Sequence, residues 1–302
     1  MVDGKNPLRY QSYDAMPYLQ KGENRIDLWL ADGWYRSKSE SPTVFRQSDT
    51  ETRIAAILEM LFTDGTRQRI VTDKSWDWSP EGPIRFADRK DGELVEAWRE
   101  PFESIYDGRI GIISRMLGIH RKAKAAKCPL IPIEPDGFCV RETSFYKPRL
   151  LVTPSGKTIL DFGREISGYL QFTLEAHKGD RILLRFGDYI DRQGEFSREN
   201  YNGWGPKAVP ARQEVEYYCK EGLNIYKTTF ALFHFRYAEV EMTFSEEKCF
   251  TYRDVTASLM NLNPSAFTAI GLALEKEEEH KDIRSNKGRK NTGESLAKLR
   301  IV

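Results

Sequence analysis

Short runs in which apolar and polar residues alternate, each closed by a turn signal, dominate this chain, and no run carries the period of a long amphipathic helix. Alternation puts every second side chain on one face, as a strand with one buried side requires. From Arg25 to Trp34, Ile26, Leu28 and Leu30 share a face, and Asp32-Gly33 follows as a hairpin-type turn. Arg53 to Phe62 fits a strand or a helix, but the Thr63-Asp64-Gly65 turn and the RQRIVT after it predict a hairpin. The pattern continues from Pro148 to Phe244. It covers Thr158 to Phe162, Tyr169 to Leu174, Arg181 to Phe186 after a Lys178-Gly179-Asp180 turn, Gln213 to Cys219, and Ala238 to Met242. An aromatic content of 12% suits pleated surfaces. Many short strands with turns between them predict an all-β fold of two consecutive antiparallel, jelly-roll-like β-sandwiches rather than a parallel sheet.

The two strand-rich regions suggest a first sandwich over residues 1–125 and a second over 126–245. Between them Cys128 to Gly137, CPLIPIEPDG, carries three prolines and reads as a stiff extended connector. Residues 246–302 change character. Asn263 as cap and Pro264 in the first turn predict a short helix with Phe267, Ile270 and Leu274 on one face. From Glu275 onwards the sequence is too charged to bury apolar surface. The expectation is an irregular or helical tail, partly disordered.

Lys plus Arg number 46 and Asp plus Glu 45, so the net charge of +1 gives no field to draw in nucleic acid or an anionic membrane. The one basic run, Arg115 to Lys127, contains no aromatic platform for bases. Cys128, Cys139, Cys219 and Cys249 are widely spaced, without the C-x-x-C of a zinc or redox site. No apolar signal segment opens the sequence and no run approaches the ~20 apolar residues of a membrane span. A cytoplasmic protein with free thiols is the simplest expectation.

Three segments carry a family likeness. Tyr13 to Tyr35 reads YDAMPYLQKGENRIDLWLADGWY. Phe62 to Trp98 reads FTDGTRQRIVTDKSWDWSPEGPIRFADRKDGELVEAW. The third comprises ILDFGREISGYLQFTL, Ile159 to Leu174, with FALFHFRYAEVE, Phe230 to Glu241. In order and spacing these resemble the landmarks of bacterial α-L-rhamnosidases: Tyr-Asp, Gly-Glu-Asn and Gly-Trp-Tyr; then Asp-Gly, Ser-Trp and Gly-Pro-Ile; then Asp-Phe-Gly and Phe-Arg-Tyr. The departures are specific. Arg164, Glu165 and Tyr169 stand where the family has Gln, Asn and Trp. His234 replaces Gly, and Glu96 and Trp98 replace Asp and Arg.

The resemblance implies two accessory β-sandwiches, one similar to a carbohydrate-binding module for which calcium-assisted rhamnose binding is known in some members. It also implies that catalysis belongs to a downstream barrel of twelve helices, whose two carboxylates stand about 6.5–9.5 Å apart for inverting chemistry. Twelve average helices need about 130–140 residues before any loop, and sixty residues follow Met242. The sequence is therefore expected to be a truncated, non-catalytic part of such an enzyme, short of strands before its Tyr-Asp motif. Its partners would be rhamnose-containing glycans or a separately encoded catalytic barrel.

Within that expectation, Trp76 and Trp78 would face one side of a strand, as sugar-stacking rings or as core. Asp88, Asp91, Glu93 and Glu96 offer oxygen ligands of mixed spacing, suited to calcium or to a solvated acidic loop. Asp161 and Glu165 flank Gly163, for sugar contact or for a tight turn. Arg236 reads as an ion-pair partner or a ring-stacked cation. Tyr201 and Trp204 lie in an aromatic, glycine-rich loop of the kind that carries function at sandwich ends. His120, His177 and His280 are isolated, and His234 sits in an aromatic run.

Overall fold

The computed structural model describes residues 9–32, 52–99, 121–125, 132–134, 138–202, 210–245, 262–276 and 296–301. Regular structure over these residues is strand, with 3-10 turns at Met16–Tyr18, Glu199–Tyr201 and Pro264–Ala266. The first strands are β1 (Gln11–Asp14), β2 (Ala56–Leu61), β3 (Arg67–Val71), β4 (Asp77–Trp78), β5 (Ile84–Asp88), β6 (Gly92–Glu96) and β7 (Arg121–Lys122). Then come β8 (Phe138–Tyr146), β9 (Arg149–Val152), β10 (Thr158–Ala176), β11 (Arg181–Gly187), β12 (Tyr189–Ile190) and β13 (Phe196–Ser197). The last are β14 (Glu214–Tyr218), β15 (Gly222–Lys227), β16 (Phe233–Thr243), β17 (Phe267–Lys276) and β18 (Leu296–Ile301).

One sheet dominates. Its ten strands follow the order β5-β6-β14-β11-β16-β10-β17-β8, with β9 and β15 also pairing β10. Its ladders are antiparallel except β6 with β14. A four-stranded sheet runs β1-β18-β2-β3, and two short pairs, β4-β7 and β12-β13, complete the set. The all-β class expected from alternation is what forms. The hairpin predicted after Arg53 is β2–β3. Thr158 to Phe162 and Tyr169 to Leu174 are two stretches of one strand, β10.

Alternation explains the core. Leu160, Phe162, Ile166, Leu170 and Phe172 of β10 face one cluster together with Ile182, Leu184 and Phe186 of β11 and Phe233, Phe235 and Val240 of β16. Burial of each large side chain stabilises the fold by about 1.5–3 kcal/mol. Phe186 stacks on Phe233 with centroids 4.1 Å apart, and Phe162 meets Phe235 edge-on at 5.6 Å.

Two expectations need correction. Residues 23–32 form no strand, although Ile26, Leu28 and Leu30 alternate, and Trp29 and Leu30 are exposed. The helix expected after Asn263 does not form either. Asn263 does cap the turn, accepting from the Ser265 amide at 3.0 Å, but the turn ends after three residues and β17 begins. The reason is non-local: β17 fills the ladder between β10 and β8, and buries Phe267, Ala269 and Ile270 there. Beyond it, β18 is also a strand, while the charged stretch 277–295 lies outside the described residues. No helix among the described residues is long and apolar enough to cross a membrane. Cys139 and Cys219 carry free thiols, while Cys128 and Cys249 lie outside the described residues.

Candidate ligand-binding site

The large sheet is interrupted by a polar bulge in β10. Its pairing with β16 runs Asp161 to Tyr237 and resumes at Ile166 to Phe235, so Phe162, Gly163, Arg164 and Glu165 stand against Arg236 alone. The extra residues must leave the ladder, and the strand bends there. Phe162 turns into the core, while Gly163, Arg164 and Glu165 are exposed. Gly163 has φ +77°, and an added Cβ there would meet nothing within 4 Å. Backbone conformation, not space, therefore asks for glycine. Asp161 fixes the turn by accepting from the Gly163 amide at 2.8 Å.

The same carboxylate holds Arg236. The Arg236 Nε and Nη2 donate to its two oxygens at 2.9 and 3.1 Å, a bidentate fork. The guanidinium carbon lies 4.9 Å from the Tyr237 ring centre. Partial burial pushes the Asp161 carboxyl up, but the Arg236 and Gly163 donors outweigh it and leave the group below its usual range.

Beside this pair stands His234, two residues before Arg236 on β16 and exposed like Glu165. Its Nδ1 is 3.1 Å from the Ser167 hydroxyl and its Nε2 is 3.9 Å from a Glu165 oxygen. Its carbonyl accepts from the Tyr201 hydroxyl at 2.8 Å, which ties the Glu199–Tyr201 turn to β16. Burial first, and then the nearby Asp188 carboxylate, push the Tyr201 phenol up to about 12. Asn200 donates to Asp188 at 2.8 Å and steadies the same turn. The result is a surface set of donors and acceptors (Ser167, His234, Glu165, Arg236), with the buried rings of Phe233 and Phe235 alternating between them on β16.

The structure thus brings together Asp161, Glu165 and Tyr201 from the expected residues. Trp204 lies outside the described residues. Ser167 and His234 join the site without having been expected there, and Arg236 joins it as the ion-pair partner. The available signal is FHFRY, in which His234 and Arg236 alternate with buried Phe233 and Phe235. Trp76 and Trp78 are elsewhere. The Trp76 indole donates to the Val71 carbonyl at 3.1 Å, and Trp78 sits in the β4–β7 pair with the Arg121 guanidinium 5.4 Å from its ring centre.

The four acidic residues expected as calcium ligands each have partners within the protein. Glu93 is buried and accepts from the amides of Thr229 (2.9 Å), Phe230 and Ala231 (2.7 Å) and from the Tyr226 hydroxyl (2.7 Å). Asp88 accepts from the amides of Lys90 and Asp91, and Asp91 from that of Arg212. Glu96 pairs with Arg99. Among the described residues, no three His, Cys, Asp or Glu side chains form a group that could hold a metal.

The fold places the chain in the all-β, sandwich-type class. The α-L-rhamnosidase N-terminal domain matches residues 3–107, and the bacterial α-L-rhamnosidase concanavalin-like domain matches residues 151–261, an interval that holds the whole bulge site. The chain is a bacterial α-L-rhamnosidase-related protein. The chain is 26% identical over 241 residues to the α-L-rhamnosidase of Alteromonas sp. (strain LOR), covering 76% of this chain and 24% of that protein. It is 25% identical over 238 residues to one from Formosa agariphila, with the same two shares. Aspergillus terreus α-L-rhamnosidase superposes with a TM-score of 0.54 at 23% identity, over 72% of this chain and 22% of that one. A Streptomyces avermitilis α-L-rhamnosidase structure, complexed with L-rhamnose, gives 0.51 at 21%, over 71% and 18%. At such identities these structures speak for the fold alone. The chain spans about a quarter of the length of the relatives it matches.

Proposed function

We propose that this chain is a non-catalytic accessory region of an α-L-rhamnosidase-type glycoside hydrolase and that it binds rhamnose-containing glycans at the β10 bulge. The observation that carries this reading is the bulge itself. It sets Glu165, Ser167, His234 and Arg236 side by side at the surface, held from below by Asp161 and from the side by Tyr201. A sugar ring offers neutral hydroxyls, and a mixed set of fixed donors and acceptors suits them better than a single strong charge does. The relatives' shared activity supplies the choice of sugar.

Calorimetry with L-rhamnose and a rhamnoside, with and without calcium, tests it. Saturable heat that calcium leaves unchanged, and that His234→Ala weakens, is expected. No saturable binding sinks the glycan reading, and turnover of p-nitrophenyl rhamnoside by the purified chain sinks the non-catalytic one.

A second reading rests on a different face. Val140 of β8 and Leu274 of β17 are register partners at one end of the large sheet, and both are exposed, as is Phe138. An apolar patch of this kind suits docking of a separately encoded rhamnosidase catalytic barrel. Co-purification with such a barrel, lost on Leu274→Asp, would favour it.

A further inference from the structure

We infer that the gap between β1 and β2 is a strand-acceptor site, and that Leu296–Ile301 of this chain occupies it as a separable ligand strand. β18 is antiparallel to both neighbours. Gln11 to Asp14 pair with Ile301 to Lys298, and Ala56 to Leu61 pair with Ile301 to Leu296. Both edges of β18 are therefore used, and through it β1 joins the β2–β3 hairpin. The Ala15 amide adds a bond to the Ala297 carbonyl at 3.0 Å.

Nothing local dictates this pairing. β1 and β2 come from the first sixty-one residues, whereas β17, the strand before β18, belongs to the other sheet. The intervening residues 277–295 contain one aliphatic side chain, Ile283, and alternation resumes only at Ala297. In the gap Ala297 is buried, and Leu299 and Ile301 follow at alternate positions opposite buried Leu58 and Ala56. A site of this kind reads its ligand through the main-chain ladder and through alternate side chains. It takes an extended peptide with a small residue and then two larger aliphatic ones at every second position. Without that strand the sheet reduces to a two-stranded hairpin, which is marginal in water.

The test uses the full chain carrying A297D and L299D, with hydrogen exchange read by strand. Protection over residues 11–14 and 56–61 should fall at least about tenfold, while β11 and β16 keep theirs. A synthetic peptide of residues 293–302 should then restore it saturably, and a peptide with the same two aspartates should not. Retained protection in the variant, or loss that the peptide does not repair, overturns the inference. As a check independent of the variant's folding, a fluorescent copy of the peptide should exchange into the unmodified chain in sub-denaturing urea. Absence of incorporation there overturns it equally.

Discussion

The β5–β6 hairpin and the β10 bulge are both acid-bearing segments, and they use their carboxylates in opposite ways. In the hairpin, Glu93 lies buried under the β15–β16 connection and accepts from the three successive amides of Thr229, Phe230 and Ala231 and from Tyr226. Gly92 beside it has φ +109°, and an added Cβ would sit 1.7 Å from the Glu214 carbonyl oxygen, so the backbones touch where β6 joins β14. In the bulge, Asp161 alone is committed to the fold, while Glu165 and His234 face water. Acid spacing does not distinguish the two. What decides is what the fold brings to each carboxylate: a neighbouring loop turns three amides onto Glu93, whereas nothing comparable reaches Glu165, which stays exposed.

Glu93→Ala gives the hardest test. It strands three amides and a phenol around a buried void, and should cost about 3–5 kcal/mol. Calorimetric melting should show a Tm lower by on the order of 10 °C. A loss under about 1 kcal/mol would mean that the hairpin acids are as dispensable as the bulge ones. Gly163→Ala should be next, at about 1–2 kcal/mol, since a Cβ at positive φ is strained wherever it points. Gly163→Asn should lose less, because asparagine tolerates that conformation.

Asp161→Asn should cost about 1 kcal/mol at neutral pH, the exposure of Arg236 screening the pair. The sign of its pH dependence follows from the lowered pKa. With the folded value below 3.8, the ionised carboxylate stabilises the fold above the unfolded value and loses that contribution as the pH falls through the folded one. Urea melts of wild type and variant should therefore differ from pH 7 down to about 4 and converge below it.

Strands marked by apolar runs between turn residues are legible: β11, β14 and the later part of β16 are all readable. β17 is not. Asn263-Pro264 and the spacing of Phe267, Ile270 and Leu274 are true helix signals, and they are overridden by pairing with β8 and β10, more than ninety residues earlier. The site is half legible for the same reason. Asp161, Gly163 and Glu165 are local to one turn, and Tyr201 sits in a loop whose composition suggests function. Ser167 meets His234 only because β10 lies beside β16, and Glu93 loses its freedom to a loop far along the chain. Contacts across a ladder leave no mark on either segment alone.

The smallest stability effect carries the sharpest functional test. His234 and Glu165 are exposed and 3.9 Å apart, and neither underpins the core. His234→Ala and Glu165→Gln should each change stability by no more than about 0.5 kcal/mol. Tyr201 bonds to the His234 carbonyl rather than to its ring, so the neighbouring turn should survive the histidine change. Each variant should nevertheless weaken rhamnoside binding several-fold in calorimetry, whereas Glu93→Gln, assayed below its melting range, should bind as wild type does. If instead the hairpin variant loses affinity and the bulge variants keep it, the division between a structural acid cluster and a binding one is reversed. If all bind alike, the bulge is a bend in a strand and the ligand lies elsewhere.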